Sequence, residues 1–150
     1  MSEGVFQLLL MRHGAAEPNA IEDAARVLSI EGRAEVIHVG AALRRRPLLA
    51  SAVVSSPYLR ARQTAELLSE ALDLPRLEDD KRLIPAGDPE ALALDLVAEA
   101  HSLIAVLHLP LIAALVQTLT GEVVAAPTGA LFAVEGSNQS DERPVLKWWL

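Results

Sequence analysis

The first residues that could carry out chemistry are Arg12-His13-Gly14, which stand directly after the apolar run of residues 5–11. An apolar run that stops at a cation, an imidazole and a glycine is typical of a buried strand whose C-terminal end opens into a site. Arginine carries a fixed fork of donors suited to phosphate, and a neutral histidine is a competent nucleophile. Glycine lets the backbone approach an anion closely. The pattern predicts nucleophilic chemistry on an anionic group at this strand end.

Two further strand-to-helix junctions carry residues of the same kinds. Residues 55–64, Ser-Ser-Pro-Tyr-Leu-Arg-Ala-Arg-Gln-Thr, follow a short apolar run and open a helix that carries Arg60. Residues 106–110, Val-Leu-His-Leu-Pro, end a third apolar run at His108 and open another helix. Open α/β sheets bind their ligands at the carboxyl ends of the strands. The sequence therefore predicts one site that all three junctions share.

In this order and context, the motifs resemble those of the histidine phosphatase (phosphoglycerate mutase-like) superfamily. The likeness is greatest to its short SixA-type phosphohistidine phosphatases, because the chain carries SPYLRARQT at 56–64, LIPAGD at 83–88 and HLPL at 108–111. The resemblance runs from Phe6 to about Trp148. It implies the doubly wound sheet of that family and a phosphatase reaction.

The resemblance also implies a role for each residue of the catalytic set. His13 would attack phosphorus and become transiently phosphorylated, while Arg12 and Arg60 would clamp the phosphoryl oxygens with charge-assisted hydrogen bonds. His108 would donate a further hydrogen bond, and water would then hydrolyse the phosphohistidine. Because the arginines neutralise the charge, we expect neither a metal ion nor a cofactor. Phosphate or sulfate is the expected occupant of the pocket.

Three more residues are candidates for substrate binding. Gly14 would bring its backbone close to the anion. Ser56 would lend a hydroxyl near the site, or else cap the helix that begins at Tyr58. Arg26, in the loop predicted to face the site, is a candidate for a direct substrate contact.

The general acid of the broader family has no counterpart in its usual place. Aligned on residues 83–85, the position of the family's glutamate holds Pro85, which cannot give a proton. Asp88 and Glu17 lie nearby in sequence and could substitute. An alkoxide leaving group needs a proton. Imidazole, whose conjugate acid has a pKa of ~6.5, leaves easily. A site without a dedicated acid favours a phosphorus–nitrogen bond.

These observations lead to one preferred function and two alternatives. We expect a metal-independent phosphatase that acts on phosphohistidine in a protein, such as a phosphotransfer domain of a signalling relay. A small-molecule phosphomonoesterase that uses Asp88 or Glu17 as its acid remains open. So does a phosphate-binding module without turnover.

Composition narrows the class of protein. The 150 residues fit a single domain, 1–150, and the absence of cysteine excludes disulfides and thiolate metal sites. A net charge of −7 argues against nucleic acid as a partner. The apolar stretch 102–116 is short for a membrane span and is interrupted by a histidine and a proline. Ser2 and Glu3, rather than basic residues, precede the first apolar run, so we expect no secretory signal and a cytoplasmic protein.

Strands that alternate with helices must position these residues. Apolar patterning predicts strands at 5–11, 52–55 and 102–107 and helices at 30–45, 58–72, 89–99 and 109–119, with a short extended piece near Leu83. Segments 130–135 and 144–149 predict a terminal hairpin around Gly136-Ser137-Asn138. We therefore expect an α/β fold with a mostly parallel, doubly wound sheet flanked by helices, and an antiparallel C-terminal edge hairpin.

Overall fold

The structure is a computed structural model that describes residues 4–150. Its strands are β1 (Val5–Arg12), β2 (Val53–Ser55), β3 (Leu103–Leu107), β4 (Leu131–Ser137) and β5 (Val145–Trp149). Its α-helices are α1 (Ile30–Leu43), α2 (Leu59–Leu72), α3 (Pro89–Glu99) and α4 (Leu111–Thr120). Two short 3-10 turns, Asp23–Ala25 and Lys81–Leu83, lie between them.

The strands form one sheet in the order β2-β3-β1-β4-β5. The first three are mutually parallel, and β4 and β5 continue the sheet in antiparallel pairing. Arg12 pairs with Leu107, and Ser55 pairs with Val106, so the three parallel strands end at the same level. The predicted fold class is confirmed, and this register is what brings the three strand-to-helix junctions to one edge.

Alternate residues of β1 point into two separate cores. Leu8 and Leu10 belong to a cluster with buried leucines of α3 and α4, whereas Leu9 and Met11 pack with α1 and α2. All four are at most 1% exposed. Burying a side chain of this size contributes about 1.5–3 kcal/mol, so a strand buried on both faces is firmly anchored. The last residues of β1 therefore hold a fixed position.

The helix predicted at 109–119 begins two residues later, at Leu111. Leu109 precedes Pro110, and the proline ring disfavours the helical conformation for the residue before it. The extended piece expected near Leu83 is instead the 3-10 turn Lys81–Leu83, in which the Asp80 side chain accepts a hydrogen bond from the Arg82 N–H. A local cap outweighs the extended preference at this point.

The terminal hairpin turns later than the position of Gly136 predicted, because β4 extends to Ser137. Strand β4 continues through Gly136 and Ser137, which pair with Phe6 and Val5 of β1. A Cβ on Gly136 would lie 2.9 Å from Phe6 Cζ, so the glycine makes room for a buried aromatic ring rather than forming the turn. The connection to β5 consists of residues 138–144.

None of the helices found in residues 4–150 has the length and apolar character needed to cross a membrane.

Candidate active site

His13 occupies the end of the central strand with its ring in one defined state. Its Nδ1 lies 2.7 Å from the Gly14 carbonyl oxygen, and Arg60 Nε lies 3.2 Å from its Nε2. A carbonyl only accepts, so Nδ1 carries the hydrogen and donates it. Nε2 keeps its lone pair and accepts from Arg60. The structure therefore presents Nε2 of a neutral imidazole, the form that can attack phosphorus.

The electrostatic surroundings keep His13 neutral. The pKa of His13 is lowered to about 4, mainly by burial and further by the positive charges of Arg60 and Arg12, while the hydrogen bond to Gly14 acts in the opposite direction. A histidine with this pKa is unprotonated at neutral pH. A ring in this state could act as a nucleophile without a separate base.

Arg60 enters the site from the first turn of α2, and its side chain is buried. Besides the bond to His13, its Nη1 donates to the Asp23 carbonyl at 2.8 Å and its Nη2 to the Asp23 carboxylate at 3.1 Å. Thr64, one turn later, donates its hydroxyl to the Arg60 carbonyl. The start of α2 and the 3-10 turn Asp23–Ala25 thus fix the guanidinium of Arg60 beside His13.

Arg12 brings a second guanidinium whose donors are not all used. Its Nη1 donates to the Ala126 carbonyl at 3.0 Å, while its Nε is buried without a hydrogen-bond partner among residues 4–150. Burial lowers the pKa of Arg12, and so does the charge of nearby Arg60, while Glu35 raises it. An unpaired buried donor costs about 1–3 kcal/mol. An oxyanion bound between these two cations would remove that cost.

His108 follows β3 and faces His13, with ring centroids 5.0 Å apart. Ser56 Oγ lies 2.6 Å from His108 Nε2 and also accepts the Tyr58 N–H at 3.1 Å. We assign the Ser56 hydroxyl as donor to Nε2, which leaves the hydrogen of His108 on Nδ1. That Nδ1 is buried and has no hydrogen-bond partner among the described residues.

His108 is also neutral, for reasons that resemble those at His13. The pKa of His108 is lowered to about 3, mainly by burial and also by the nearby His13 and Arg60. A neutral ring has a single N–H. With the Ser56 hydroxyl assigned as donor to Nε2, the hydrogen of His108 lies on the unpaired Nδ1. The Ser56 hydroxyl contacts His108 and accepts the N–H of Tyr58, and α2 itself has no side-chain cap. The predicted contact of Ser56 with substrate stays a prediction.

Gly14 takes a different role from the one predicted. Its N–H donates to Thr64 Oγ1 at 3.2 Å and is not free for an anion. A Cβ at this position would lie 2.7 Å from the Gly32 carbonyl oxygen and 2.9 Å from Val36 Cγ2. The glycine is needed because α1 packs directly against it. Its carbonyl serves the site by fixing the ring of His13.

Arg26 and Glu17 are joined in the loop between β1 and α1. Arg26 Nε donates to the backbone carbonyl of Glu17 at 2.8 Å, and its Nη1 lies 3.2 Å from Asp23 Oδ1. The charge of Arg26 reaches the site, since it contributes to lowering the pKa of His13. The Glu17 side chain is exposed. Arg26 is therefore beside the site but engaged within its loop.

Asp88 is used as a helix cap. Its Oδ1 accepts the backbone N–H groups of Glu90 at 3.0 Å and Ala91 at 3.2 Å, at the start of α3. No hydrogen bond within residues 4–150 joins Asp88 or the Glu17 carboxylate to His13. Asp88 therefore caps α3, and the Glu17 side chain is exposed to solvent.

Sequence reasoning missed two acidic residues that organise the site. Asp23 binds Arg60, as described above. Glu35 of α1 accepts the Ala15 N–H at 2.8 Å and the Thr128 hydroxyl at 3.1 Å, so it joins the loops that flank Arg12. Neither stands at a strand end, where the signals of the other site residues lie. Within residues 4–150, no three His, Cys, Asp or Glu side chains are grouped closely enough to hold a metal ion.

The lowered pKa values predict that acid destabilises the fold. In the unfolded chain a histidine binds a proton below its ordinary pKa of 6.5, whereas folded His13 has a pKa of about 4 and binds one only below that pH. Stability is therefore lost as the pH falls through this window, by roughly 3 kcal/mol for His13 alone. We expect urea unfolding at pH 7 and pH 4 to show this loss, and the His13→Gln variant to lose less. An equal loss in both proteins would contradict the lowered pKa.

Comparisons with known proteins place the chain in a family. The profile described as Histidine phosphatase superfamily (branch 1) matches residues 8–102. Phosphohistidine phosphatase SixA of Escherichia coli (strain K12) is 34% identical over 119 residues, covering 76% of this chain and 74% of that protein. A SixA homolog of Haemophilus influenzae is 30% identical over 131 residues, covering 78% and 79%.

A solved structure agrees with these sequence matches. The protein histidine phosphatase SixA in complex with tungstate superimposes with a TM-score of 0.88 at 29% identity, covering 97% of this chain and 96% of that chain. Tungstate is a tetrahedral oxyanion, as phosphate is. The resemblance inferred from the motifs is confirmed: the chain belongs to branch 1 of the histidine phosphatase superfamily and is a phosphatase of the SixA type.

Proposed function

We propose that this phosphatase hydrolyses phosphohistidine in proteins, without a metal ion, through a covalent intermediate on His13. The observation that carries the proposal is a neutral imidazole, that of His13, bonded to buried Arg60 and neighboured by two buried nitrogens without partners. Arg12 Nε and His108 Nδ1 have no hydrogen-bond partner among the described residues, and Arg60 Nε points at His13 Nε2. Buried donors without a protein partner beside a neutral imidazole suit a phosphoryl group.

The first step transfers the phosphoryl group to the protein. The Nε2 lone pair of His13 forms a bond to phosphorus while the phosphorus–nitrogen bond of the substrate breaks. The electron pair of that bond goes to the departing nitrogen, and because the other nitrogen of the substrate ring carries a proton, the ring leaves as neutral imidazole. Arg12 and Arg60 balance the charge on the equatorial oxygens throughout, as phosphoryl transfer requires.

The second step releases phosphate. A water molecule attacks phosphorus, the bond to His13 Nε2 breaks, and its electron pair returns to Nε2, which leaves the ring neutral. Phosphate departs with the two protons of that water, one of which passes to solvent. The Gly14 carbonyl holds the Nδ1 hydrogen in place during both steps, so the ring returns to the tautomer in which it began.

The placement of the carboxylates favours imidazole as the leaving group. Pro85 stands where the family's glutamate is expected, Asp88 caps α3, and Glu17 is exposed. An alkoxide would leave slowly from a site without a proton donor. Imidazole leaves without one, which supports phosphohistidine over a sugar phosphate.

Apolar side chains near the site support a protein as the carrier of the phosphohistidine. Leu109 directly follows His108 and is 38% exposed, and Ile21, two residues before Asp23, is fully exposed. Both belong to segments that also carry site residues, so a protein substrate docked over the site would contact them. A phosphotransfer domain of a cytoplasmic signalling relay fits this description, and the E. coli relative is named a phosphohistidine phosphatase.

The proposal is tested by incubating the protein with a phosphotransfer domain labelled on histidine, in the presence of a metal chelator. We expect loss of label from the domain and release of inorganic phosphate. Hydrolysis of sugar phosphates at a higher rate would favour the small-molecule phosphomonoesterase. Binding of phosphate without turnover of any substrate would favour a binding module.

A further inference from the structure

The guanidinium of Arg60 is held along one edge by a single residue. Nη1 donates to the backbone carbonyl of Asp23 and Nη2 to its carboxylate, at 2.8 and 3.1 Å. Nε, on the other edge, donates to His13 Nε2 at 3.2 Å. Guanidinium is planar and rigid, so fixing one edge fixes the direction of the other. Asp23 thereby determines where Nε–H points.

The direction set in this way is the one that the reaction needs. Phosphorus must take the lone pair of His13 Nε2 that the Nε–H of Arg60 occupies in this structure, so this N–H lies where the phosphoryl oxygens would arrive. When a phosphoryl group is bound at Nε2, the same N–H and the remaining hydrogen of Nη2 would donate to its oxygens, together with the unpaired donors of Arg12 and His108. We propose that Asp23 is a positioning residue, which holds the outer edge of Arg60 so that its inner edge meets the transferred phosphoryl group. This inference rests on the proposed function.

The carboxylate of Asp23 is placed for this task rather than for packing. Its side chain is 57% exposed, so little of its surface contributes to the core. Arg26 holds the other carboxylate oxygen, Oδ1, at 3.2 Å. Burial acts against ionisation, but the hydrogen bonds from Arg26 and Arg60 outweigh it and lower the pKa of Asp23. The residue is therefore a fixed anion between two arginines.

The competing interpretation is an inhibitory contact, in which the carboxylate occupies donors that phosphate would use. The two interpretations differ in the effect of removing the carboxylate. Loss of a blocking anion would raise turnover. Loss of the positioning carboxylate lowers turnover, because the guanidinium can then pivot about its one remaining bond, from Nη1 to the backbone carbonyl of residue 23. It does not weaken the binding of an anion, because a negative charge has also been removed.

The test compares Asp23→Ala with the wild-type protein, using phosphohistidine and p-nitrophenyl phosphate as substrates and inorganic phosphate as a ligand. We expect kcat to fall about 10- to 100-fold, the scale of a misplaced catalytic group. The dissociation constant for phosphate should be unchanged or lower. Asp23→Asn, whose amide oxygen can still accept from Nη2, should stay within about threefold of wild-type kcat.

Two comparisons separate positioning from a general effect on the fold. In an Arg60→Lys background, where no rigid edge remains to be held, Asp23→Ala should change kcat less than about twofold. The matched control is Asp79→Ala. It removes a carboxylate that lies 3.4 Å from Arg62, which is on α2 as Arg60 is, and it should leave kcat unchanged. A full effect of Asp23→Ala in the Arg60→Lys background, or a wild-type or higher kcat in the single variant, would overturn the proposal.

A spectroscopic measurement keeps this proposal distinct from the proposed function. The Nε–H of Arg60 should give a resolved, slowly exchanging ¹⁵N–¹H signal in the wild-type protein, and Asp23→Ala should broaden it. If the wild-type protein hydrolyses neither substrate, the proposed function fails, while the signal still reports whether Asp23 holds Arg60. A signal equally sharp in Asp23→Ala would refute the positioning role even in an active enzyme.

Discussion

Replacing His13 by alanine should remove turnover. We expect kcat to fall at least about a thousandfold, the scale seen when a catalytic nucleophile is deleted, because no other described side chain presents a neutral ring nitrogen to Arg60 Nε. The acid-labile phosphoenzyme that rapid quenching traps in the wild-type protein should also disappear. Both measurements use p-nitrophenyl phosphate as well as phosphohistidine, so that the result does not depend on the natural substrate.

The matched control is His101→Ala, because His101 is an exposed histidine that belongs to none of the three motifs. We expect it to retain wild-type kcat and to form the phosphoenzyme. Since removal of buried His13 leaves a space near the site, thermal unfolding of both variants should accompany the assays. A folded His13→Ala protein with a tenth of wild-type activity would show that another residue is the nucleophile.

The main features of the fold could be predicted because its signals are local. Each parallel strand is an apolar run that ends at a polar or charged residue, and each is followed by a segment with helical spacing. Parallel strands joined by helices place their carboxyl ends at one edge, so the meeting of His13, Arg60 and His108 follows from chain order alone. The observed register of β1, β2 and β3 confirms that inference.

Other features of the site depend on contacts that no local pattern encodes. Asp23 and Arg60 are 37 residues apart in sequence, and an acidic residue in a polar loop is ordinarily only a solvated side chain. Gly14 is a second example. The motif indicates that a glycine matters at this position, but the reason is the close approach of α1, which depends on how the helix packs. Motif patterns locate the reactive atoms, and long-range packing decides what orients them.

The identity of the leaving group should have a larger effect on rate than any carboxylate of this chain. We expect kcat/KM for phosphohistidine to exceed that for alkyl phosphate esters at least about a hundredfold, the scale of general acid catalysis, with activated aryl phosphates between them. Imidazole and phenolates leave with little or no proton transfer, whereas an alkoxide does not. The measurement is a comparison of kcat/KM across these substrates at one pH.

The same reasoning predicts that Asp88→Asn and Glu17→Gln will have little effect on phosphohistidine turnover. Asparagine caps a helix about as well as aspartate, so the first change should also preserve the start of α3. Glu17 is exposed, and its interaction with Arg26 is through the backbone carbonyl, which glutamine retains. A large loss in either variant, together with rapid hydrolysis of a sugar phosphate by the wild-type protein, would show that a displaced carboxylate protonates the leaving group. The preference for phosphorus–nitrogen bonds would then have no basis, because the argument depends on a site that lacks an acid.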